Sequence, residues 1–279
     1  MKGSNKVSHS YINAYLKCPK LFYFRHILKL RPPKKPLPLA FGSALHKGLE
    51  EYEAKGADPI EEFQKAFKFK EILFEFKGQE LEESEALDRY EEEIDNGIRL
   101  LEYFLEEREN GSLQDYEVLH TEKRFKTPIK SIGKKRCKAD LLSGVVDVIR
   151  TDEKLVDYKT SSKKYNQKKV DESLQPTFYY LWYYLTYGKL PKGFIYIVFM
   201  KKRKSNPIDV LETHRTMKDL KELVDIINQV QTKVERGFFN RNHGRHAFCD
   251  CFKLEAYFNS LKEISYDRSN RKRKVVFTL

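Results

Sequence analysis

Residues 144–149 (GVVDVI) and 154–158 (KLVDY) are two short apolar runs parted by the turn signal Thr151-Asp152-Glu153. Runs of this length, rich in valine and bounded by polar turn residues, predict the two strands of a hairpin. Each carries an acid where an apolar residue is expected: Asp147 inside the first, Asp157 near the end of the second. An ionised carboxylate inside a strand is costly to bury unless its charge is compensated. Lys159 follows Asp157 by two residues, so both side chains leave the same face of the strand. Two carboxylates and a lysine converging at the end of one hairpin can bind a divalent metal and hold positive charge beside it. That is equipment for metal-assisted hydrolysis. The ordinary alternative is a pair of strands whose acids face solvent.

The elements around this hairpin predict an α/β fold, a central mixed β-sheet flanked by helices, with a helical sub-domain. The most hydrophobic run, residues 193–200 (GFIYIVFM), reads as a central strand whose basic continuation, KKRK at 201–204, points into solvent. Residues 117–126 and 136–142 read as strands, the second turning back across Ser143-Gly144 onto the first half of the hairpin. The four runs to residue 159 would then form a meander. Glu122 is expected as a strand-surface acid. Residues 208–214 read as a further strand and 219–234 as an amphipathic helix.

Ser173 is placed to cap a helix that tolerates Pro176 in its first turn. Gln175 and Tyr179 lie four apart and share a face of it. Its residues are apolar nearly all round, so it should be buried. Between Lys159 and this helix runs SSKKYNQKKV (161–170), a polar loop with four lysines that suits solvent and a polyanion equally. Upstream, Ser10 is a candidate cap for a first helix, Pro19 opens a second, and RPPKKPLP (31–38) is a connector. The helix after it holds His46, with Ala44, Leu45, Leu49 and Tyr52 on its apolar side. A lone helical histidine is most often a packing residue. Residues 57–110 read as helical throughout, in about three segments broken at Gly78.

The net charge of +12 is unevenly spread. Residues 1–47 hold ten Lys/Arg and no acid, and residues 48–110 hold eight bases against 21 acids. The remainder holds 35 bases against 20 acids. Basic segments thus bracket an acidic helical region, and a basic face suits DNA. No apolar run reaches membrane-spanning length and the start of the chain has no apolar signal region, which predicts an intracellular, cytoplasmic protein without a membrane.

The ordered series of G-x-x-D from Gly144, D-x-K from Asp157, and Q-x-x-x-Y at Gln175 and Tyr179 resembles the PD-(D/E)XK nuclease superfamily. It is most similar to the RecB-like branch, which includes nuclease domains of bacterial recombination helicase-nucleases and CRISPR-associated adaptation nucleases. Two further stretches fit the same pattern: S-x-x-x-x-Y-x-x-C-P-x-x-F from Ser10 to Phe22, and G-x-x-x-H from Gly42 to His46. The resemblance covers roughly residues 8–258. It implies a restriction-endonuclease-like core in which Asp147, Asp157, His46 and the Tyr158 carbonyl bind Mg²⁺ or Mn²⁺. It gives Lys159, Gln175 and Tyr179 catalytic or positioning roles, with Tyr179 contacting DNA or supporting Lys159.

Some members of that branch carry a [4Fe–4S] cluster on one N-terminal cysteine and three near the C-terminus. Cys18 stands where the first would be. The C-terminal HAFCDCFKLEAYF departs from the spacing, because Cys249 and Cys251 form C-x-C and Tyr257 stands where a last cysteine is expected. A cluster needs four ligands, so none is expected. Cys137 lies outside the pattern, and His246 could complete only a zinc site with Cys249. Packing of Phe248, Phe252, Tyr257 and Phe258 is expected in the cluster's place.

The predicted organisation is an N-terminal helical part (1–47), a helical sub-domain (48–110), a nuclease core with C-terminal helices (111–258) and a basic tail (259–279). The function expected is a metal-dependent DNA nuclease, in an exonuclease form, serving recombination, repair or processing of DNA. A non-cleaving DNA-binding or scaffolding protein on the same fold is the alternative. So is the nuclease subunit of a helicase or recombinase complex: the chain lacks a G-x-x-x-x-G-K-[ST] loop, so any motor would be another polypeptide.

Overall fold

The computed structural model describes residues 6–32, 34–76, 79–113, 117–129, 131–242 and 251–259. A two-residue strand, β1 (Lys6–Val7), leads into α1 (His9–Lys17) and α2 (Pro19–Phe22), which runs on as a π-helical turn at Tyr23–Ile27. Ser8, one residue before α1, is the cap and accepts from the Tyr11 N–H at 3.2 Å. The expected cap, Ser10, lies inside the helix. After β2 (Lys35–Pro36), α3 spans Leu37–Lys55. The proline-rich connector therefore ends earlier than predicted, because Pro38 fits the first helical turn, where its missing N–H costs little.

Asp58 caps α4 (Pro59–Ala66), accepting from the Ile60 N–H at 2.9 Å. The long stretch before α5 (Glu83–Glu109) has no α-helix, against expectation, and only one 3-10 turn, at Phe69–Glu71. It holds three short strands, β3 (Ile72–Leu73), β4 (Glu75–Phe76) and β5 (Gln79–Glu80). In FKFKEILF the apolar residues do not keep a helical spacing, and Phe67, Ile72 and Phe74 are buried.

The second half contains β6 (Val118–Pro128), the hairpin β7 (Ser131–Ile132) and β8 (Lys135–Arg136), then β9 (Leu141–Arg150) and β10 (Lys154–Ser161). There follow α6 (Gln167–Asp171), α7 (Leu174–Tyr187), β11 (Gly193–Met200), β12 (Ile208–Thr213) and α8 (Met217–Glu235). Residues 251–259 are also helical. Six strands form one mixed sheet in the order β1-β9-β10-β11-β12, with β6 also paired to β9. The expected turn at Ser143-Gly144 is absent. Residues 141–150 are one strand, paired antiparallel to β6 from Val118↔Arg150 to Pro128↔Leu141. Gly144 is there for the ring of Phe125, which would stand 2.7 Å from any Cβ at that position.

β11 explains its own composition. Phe194, Tyr196, Val198 and Met200 enter one core, with Phe178, Leu181 and Ile227 of α7 and α8. Ile195, Ile197 and Phe199 enter the other, with Phe41, Leu45 and Phe104 of α3 and α5. A strand covered on both faces reads as a continuous apolar run. The helices of the acidic region are thus the cover of one sheet face, and the predicted boundary at 47/48 falls inside α3. Of the basic continuation after β11, Lys202 and Lys204 are exposed as expected, while Lys201 and Arg203 turn inward. Lys201 pairs with Glu93 at 2.6 Å, its ammonium 4.2 Å from the Phe41 ring centre, and Arg203 pairs with Asp209. Charge pairing, with α5 for Lys201 and with β12 for Arg203, outweighs solvation at those two residues.

Cys18, Cys251, Leu21, Phe24 and Leu254 share a small apolar cluster, against which Phe258 packs. Phe252, expected to pack, is 47% exposed with the Arg241 guanidinium against its ring. Cys137 is buried in the first core, beyond the end of β8. His246, Phe248, Cys249 and the basic tail lie outside the described residues. Among the described residues no helix is long and apolar enough to cross a membrane.

Candidate active site

β10 is paired with β11 along its whole length, from Lys154↔Gly193 to Ser161↔Met200. With β9 it pairs only at Leu155↔Ile149 and Val156↔Val148. Beyond those two pairs the strands part, and the far end of β9 is taken by β1 at Leu141 and Leu142. A fork opens in the sheet. Backbone N–H groups left without a ladder partner must be satisfied in another way. Here the Tyr158 N–H donates to Asp147 Oδ2 at 2.9 Å, so a side chain replaces the missing strand.

The fork gathers most of the residues singled out from the sequence. Asp157 is 2% exposed. Its Oδ1 accepts from Gln175 Nε2, and the Lys159 ammonium stands against its Oδ2 as an ion pair. Ser173 caps α7 by accepting from the Gln175 N–H, which fixes Gln175 in the first turn over the fork. Gln175 also lies 3.4 Å from the Tyr179 hydroxyl, one turn on. Tyr179 is buried, its ring stacked on Phe194, and it reaches Gln175. His46 comes from α3 and brings Nδ1 to 3.4 Å from Asp147 Oδ2. Gly42, one turn earlier, lets α3 lie close on β10: a Cβ there would be 3.2 Å from Thr160 Oγ1.

Burial, followed by the charge of Asp157, pushes the Asp147 carboxyl well above the usual range. Burial alone would lower the Lys159 ammonium, but Asp157 and Asp147 more than offset it and hold the lysine protonated. Burial keeps His46 below its ordinary value and therefore neutral at pH 7. Tyr179 is held as the neutral phenol by burial and by both aspartates.

Several groups that sequence reasoning passed over stand here as well. Glu50 lies one turn after His46 on α3, a spacing that could have flagged it. Glu122 lies abreast of Asp147, between the pairs Thr121↔Val148 and Lys123↔Val146. Expected on the strand surface, it lines a narrow crevice with His46, Glu50, Asp147 and Tyr158. Its φ of 44° is uncommon for a side chain of this kind. Burial and then the Glu50 charge push its carboxyl up. The Tyr158 hydroxyl donates to Glu53 at 3.0 Å, and Arg108 pairs with Glu53 at 3.4 Å, anchoring β10 to α3 and α5. On the other side, buried Arg215 donates to the carbonyls of Val170, Asp171 and Ser173, and so ties down the approach to α7.

Among the described residues, no three His, Cys, Asp or Glu side chains are drawn together around one point as metal ligands. The donor set nevertheless fits a hard divalent cation: two carboxylates, a neutral imidazole and the backbone of Tyr158. Asp157 Oδ2 is buried and has the Lys159 ammonium as its neighbour, a cation on one side only. Asp147 is driven toward protonation by burial and then by the charge of Asp157. A cation between the two aspartates would offset the repulsion between them.

A family profile described as the PD-(D/E)XK nuclease superfamily matches residues 6–251. No curated protein matches the sequence significantly. Among solved structures, one from Eubacterium rectale, described as a "putative exonuclease", is similar with a TM-score of 0.51 at 12% identity. The match covers 99% of this chain and 91% of that one, and at this identity it shows the fold alone. A structure described as SSO0001 aligns at a TM-score of 0.30 and 12% identity, over 79% of this chain and 90% of that one.

Proposed function

The chain belongs to the PD-(D/E)XK nuclease superfamily, and from that premise we propose that it hydrolyses DNA phosphodiester bonds at the β9–β10 fork with Mg²⁺ or Mn²⁺. Asp147 and Asp157 would hold the cation, with His46 and the Tyr158 carbonyl as further ligands. When bound, it supplies polarisation of the phosphate and a water of lowered pKa. The remaining work falls to the chain. Lys159 is kept charged by the two aspartates and faces the substrate as a fixed cation, stabilising negative charge that develops on the phosphate. Gln175 holds Asp157 in one orientation through Oδ1, and Tyr179 holds Gln175. The observation that carries the reading is the pair Asp147 and Asp157 drawn into the fork with Lys159 paired to Asp157.

An exonuclease form, acting in recombination, repair or processing of DNA, is the version we put to test. Purified protein is incubated with end-labelled single- and double-stranded DNA in Mg²⁺, Mn²⁺ or EDTA. Release of mononucleotides from the earliest times, abolished by EDTA, is expected. Internal fragments at early times would make it an endonuclease. Cleavage that survives EDTA would remove the metal from the reading, and no cleavage under any condition would leave a DNA-binding scaffold on a nuclease fold.

A further inference from the structure

Beside Lys159 and Gln175 lies a cavity of about 600 Å³ whose other lining residues the catalytic reading leaves without a role. One wall is α1, which presents His9, Asn13 and Lys17 at successive four-residue steps along a single face. The other wall is the lysine-rich segment after β10, with Tyr165 and Lys169, followed by the start of α7 at Ser173 and Gln175. Lys159 and Tyr196 also line it.

The lining describes its ligand. Lys17, Lys159 and Lys169 line it with one acid, Glu172, and since Lys159 is paired with Asp157 the positive charge offered to a ligand is that of Lys17 and Lys169. That excess suits an anion. The aromatic groups suit a flat ring: Tyr165 is half-buried at the mouth, and the Lys169 ammonium stands 3.5 Å from its ring centre. Ring and cation are thus one unit, the ring for a base and the ammonium for a phosphate. Asn13 adds an amide that can both donate and accept. His9, pushed down to about 4 by burial and then by Lys159, adds a neutral imidazole. Lipid or an apolar ligand would meet little apolar wall.

Size narrows the class further. Pockets of roughly 300–1,000 Å³ hold single small molecules. A cavity of about 600 Å³ holds one or two nucleotides. An unpaired nucleotide, unlike one stacked in a duplex, can turn the face of its base onto a side chain in such a cavity. We propose that this cavity is a nucleotide subsite, in which Tyr165 stacks the base of an unpaired DNA nucleotide while Lys17 and Lys169 hold its phosphates, next to the phosphate that meets Lys159. The proposal rests on the nuclease reading for its direction and names the form of substrate, a single-stranded segment, that the site receives.

The test measures binding without cleavage. Fluorescence anisotropy in EDTA follows a labelled oligothymidylate and a blunt duplex of equal length, with the wild-type chain and with Tyr165→Ala and Asn13→Trp. Loss of base stacking should weaken oligothymidylate binding by about 5- to 150-fold. Asn13→Trp, which fills the cavity, should weaken it at least as much, and duplex binding should change little in either. Tyr165 lies on a surface segment, so Tyr165→Ala decides the matter if the tryptophan unfolds α1. Single-strand binding that is indifferent to Tyr165→Ala would overturn the subsite, as would equal losses for the duplex. The two readings fail separately. Metal-dependent cleavage together with Tyr165-independent binding sinks the subsite alone. Tyr165-dependent binding without cleavage under any metal sinks the nuclease and keeps the subsite.

Discussion

β10 treats its two neighbours in opposite ways. Toward β11 every residue from Lys154 to Ser161 has a partner, and the strand beyond is buried on both faces. Toward β9 two pairs suffice, and the rest of that edge is held by Asp147, with Lys159 and Gln175 on Asp157 beyond it. The closed edge uses side chains to fill two cores. The open edge uses side chains to replace backbone and to confine charge. Stability and chemistry are thus assigned to opposite edges of one strand, and substitutions on the two edges should have separable effects.

The largest effect is expected on the open edge. Asp147→Ala or Asp157→Ala removes one of two carboxylates that would hold the cation, and cleavage should disappear while the protein stays folded. Circular dichroism and a gel assay check both halves of that statement. Cleavage near the wild-type rate by either variant would falsify the site. Lys159→Ala should come next, with cleavage about 10²–10³ slower, the cost of removing one electrostatic contact to a transition state. DNA affinity should fall far less. Affinity and rate falling together would make Lys159 a simple phosphate contact.

On the closed edge the result should invert. Ile197 is fully buried between β10 and β12. Ile197→Ala should cost about 2–5 kcal/mol of stability, as isoleucine deletions in cores do. Below its melting point the variant should cut at close to the wild-type rate. A large loss of kcat in folded Ile197→Ala would show that the two edges are not separable.

The closed edge was also the more legible. GFIYIVFM announces a strand buried on both faces by composition alone, and D-x-K with Q-x-x-x-Y marks the residues that the fork gathers. The fork itself was not legible. It depends on where pairing stops, and pairing is a long-range property that residue order does not carry. Gly144 was misread for the same reason. A glycine between two apolar runs looks like a turn until Phe125, 19 positions earlier, is known to lie over it. Glu50 and Glu122 converge only because α3 crosses the sheet there. Arg215 binds three carbonyls more than 40 positions away in sequence, and nothing local predicts that.

Gln175 tests how much of the open edge is orientation rather than charge. It bears no charge itself, and its contact with Asp157 fixes a carboxylate that would hold the cation. Groups that orient metal ligands are typically worth about 10- to 100-fold in activity or metal affinity. Gln175→Ala should therefore need more Mg²⁺ or Mn²⁺ for half-maximal rate, and excess metal should restore part of the loss. Loss of rate at unchanged metal dependence would instead place Gln175 against the substrate.

The smallest effect concerns acid, and it separates the fork's surroundings from the rest of the chain. His9, beside the open edge, and His26, in the ring cluster of Phe22 and Tyr11, are each pushed from 6.5 to about 4. Burial is the main cause for both. For His9 the next is Lys159, and for His26 it is Arg31. Between 6.5 and about 4 the unfolded chain holds protons that the folded chain refuses. Stability is therefore complete above that window and falls as pH drops through it. Asp147 works in the opposite sense. Its raised carboxyl retains a proton that the unfolded chain gives up, so its contribution favours the folded state at low pH and fades as pH rises through the raised value. The histidine contribution is isolated by comparing His9→Gln/His26→Gln with the wild type. Melting temperatures of the double variant should fall less steeply between pH 6.5 and 4. His26→Gln alone should remove part of the slope without touching cleavage, because His26 makes no contact with the fork. An unchanged slope in the double variant would mean that both imidazoles take up protons in the folded chain, and that the environment at the open edge is wetter than its burial implies.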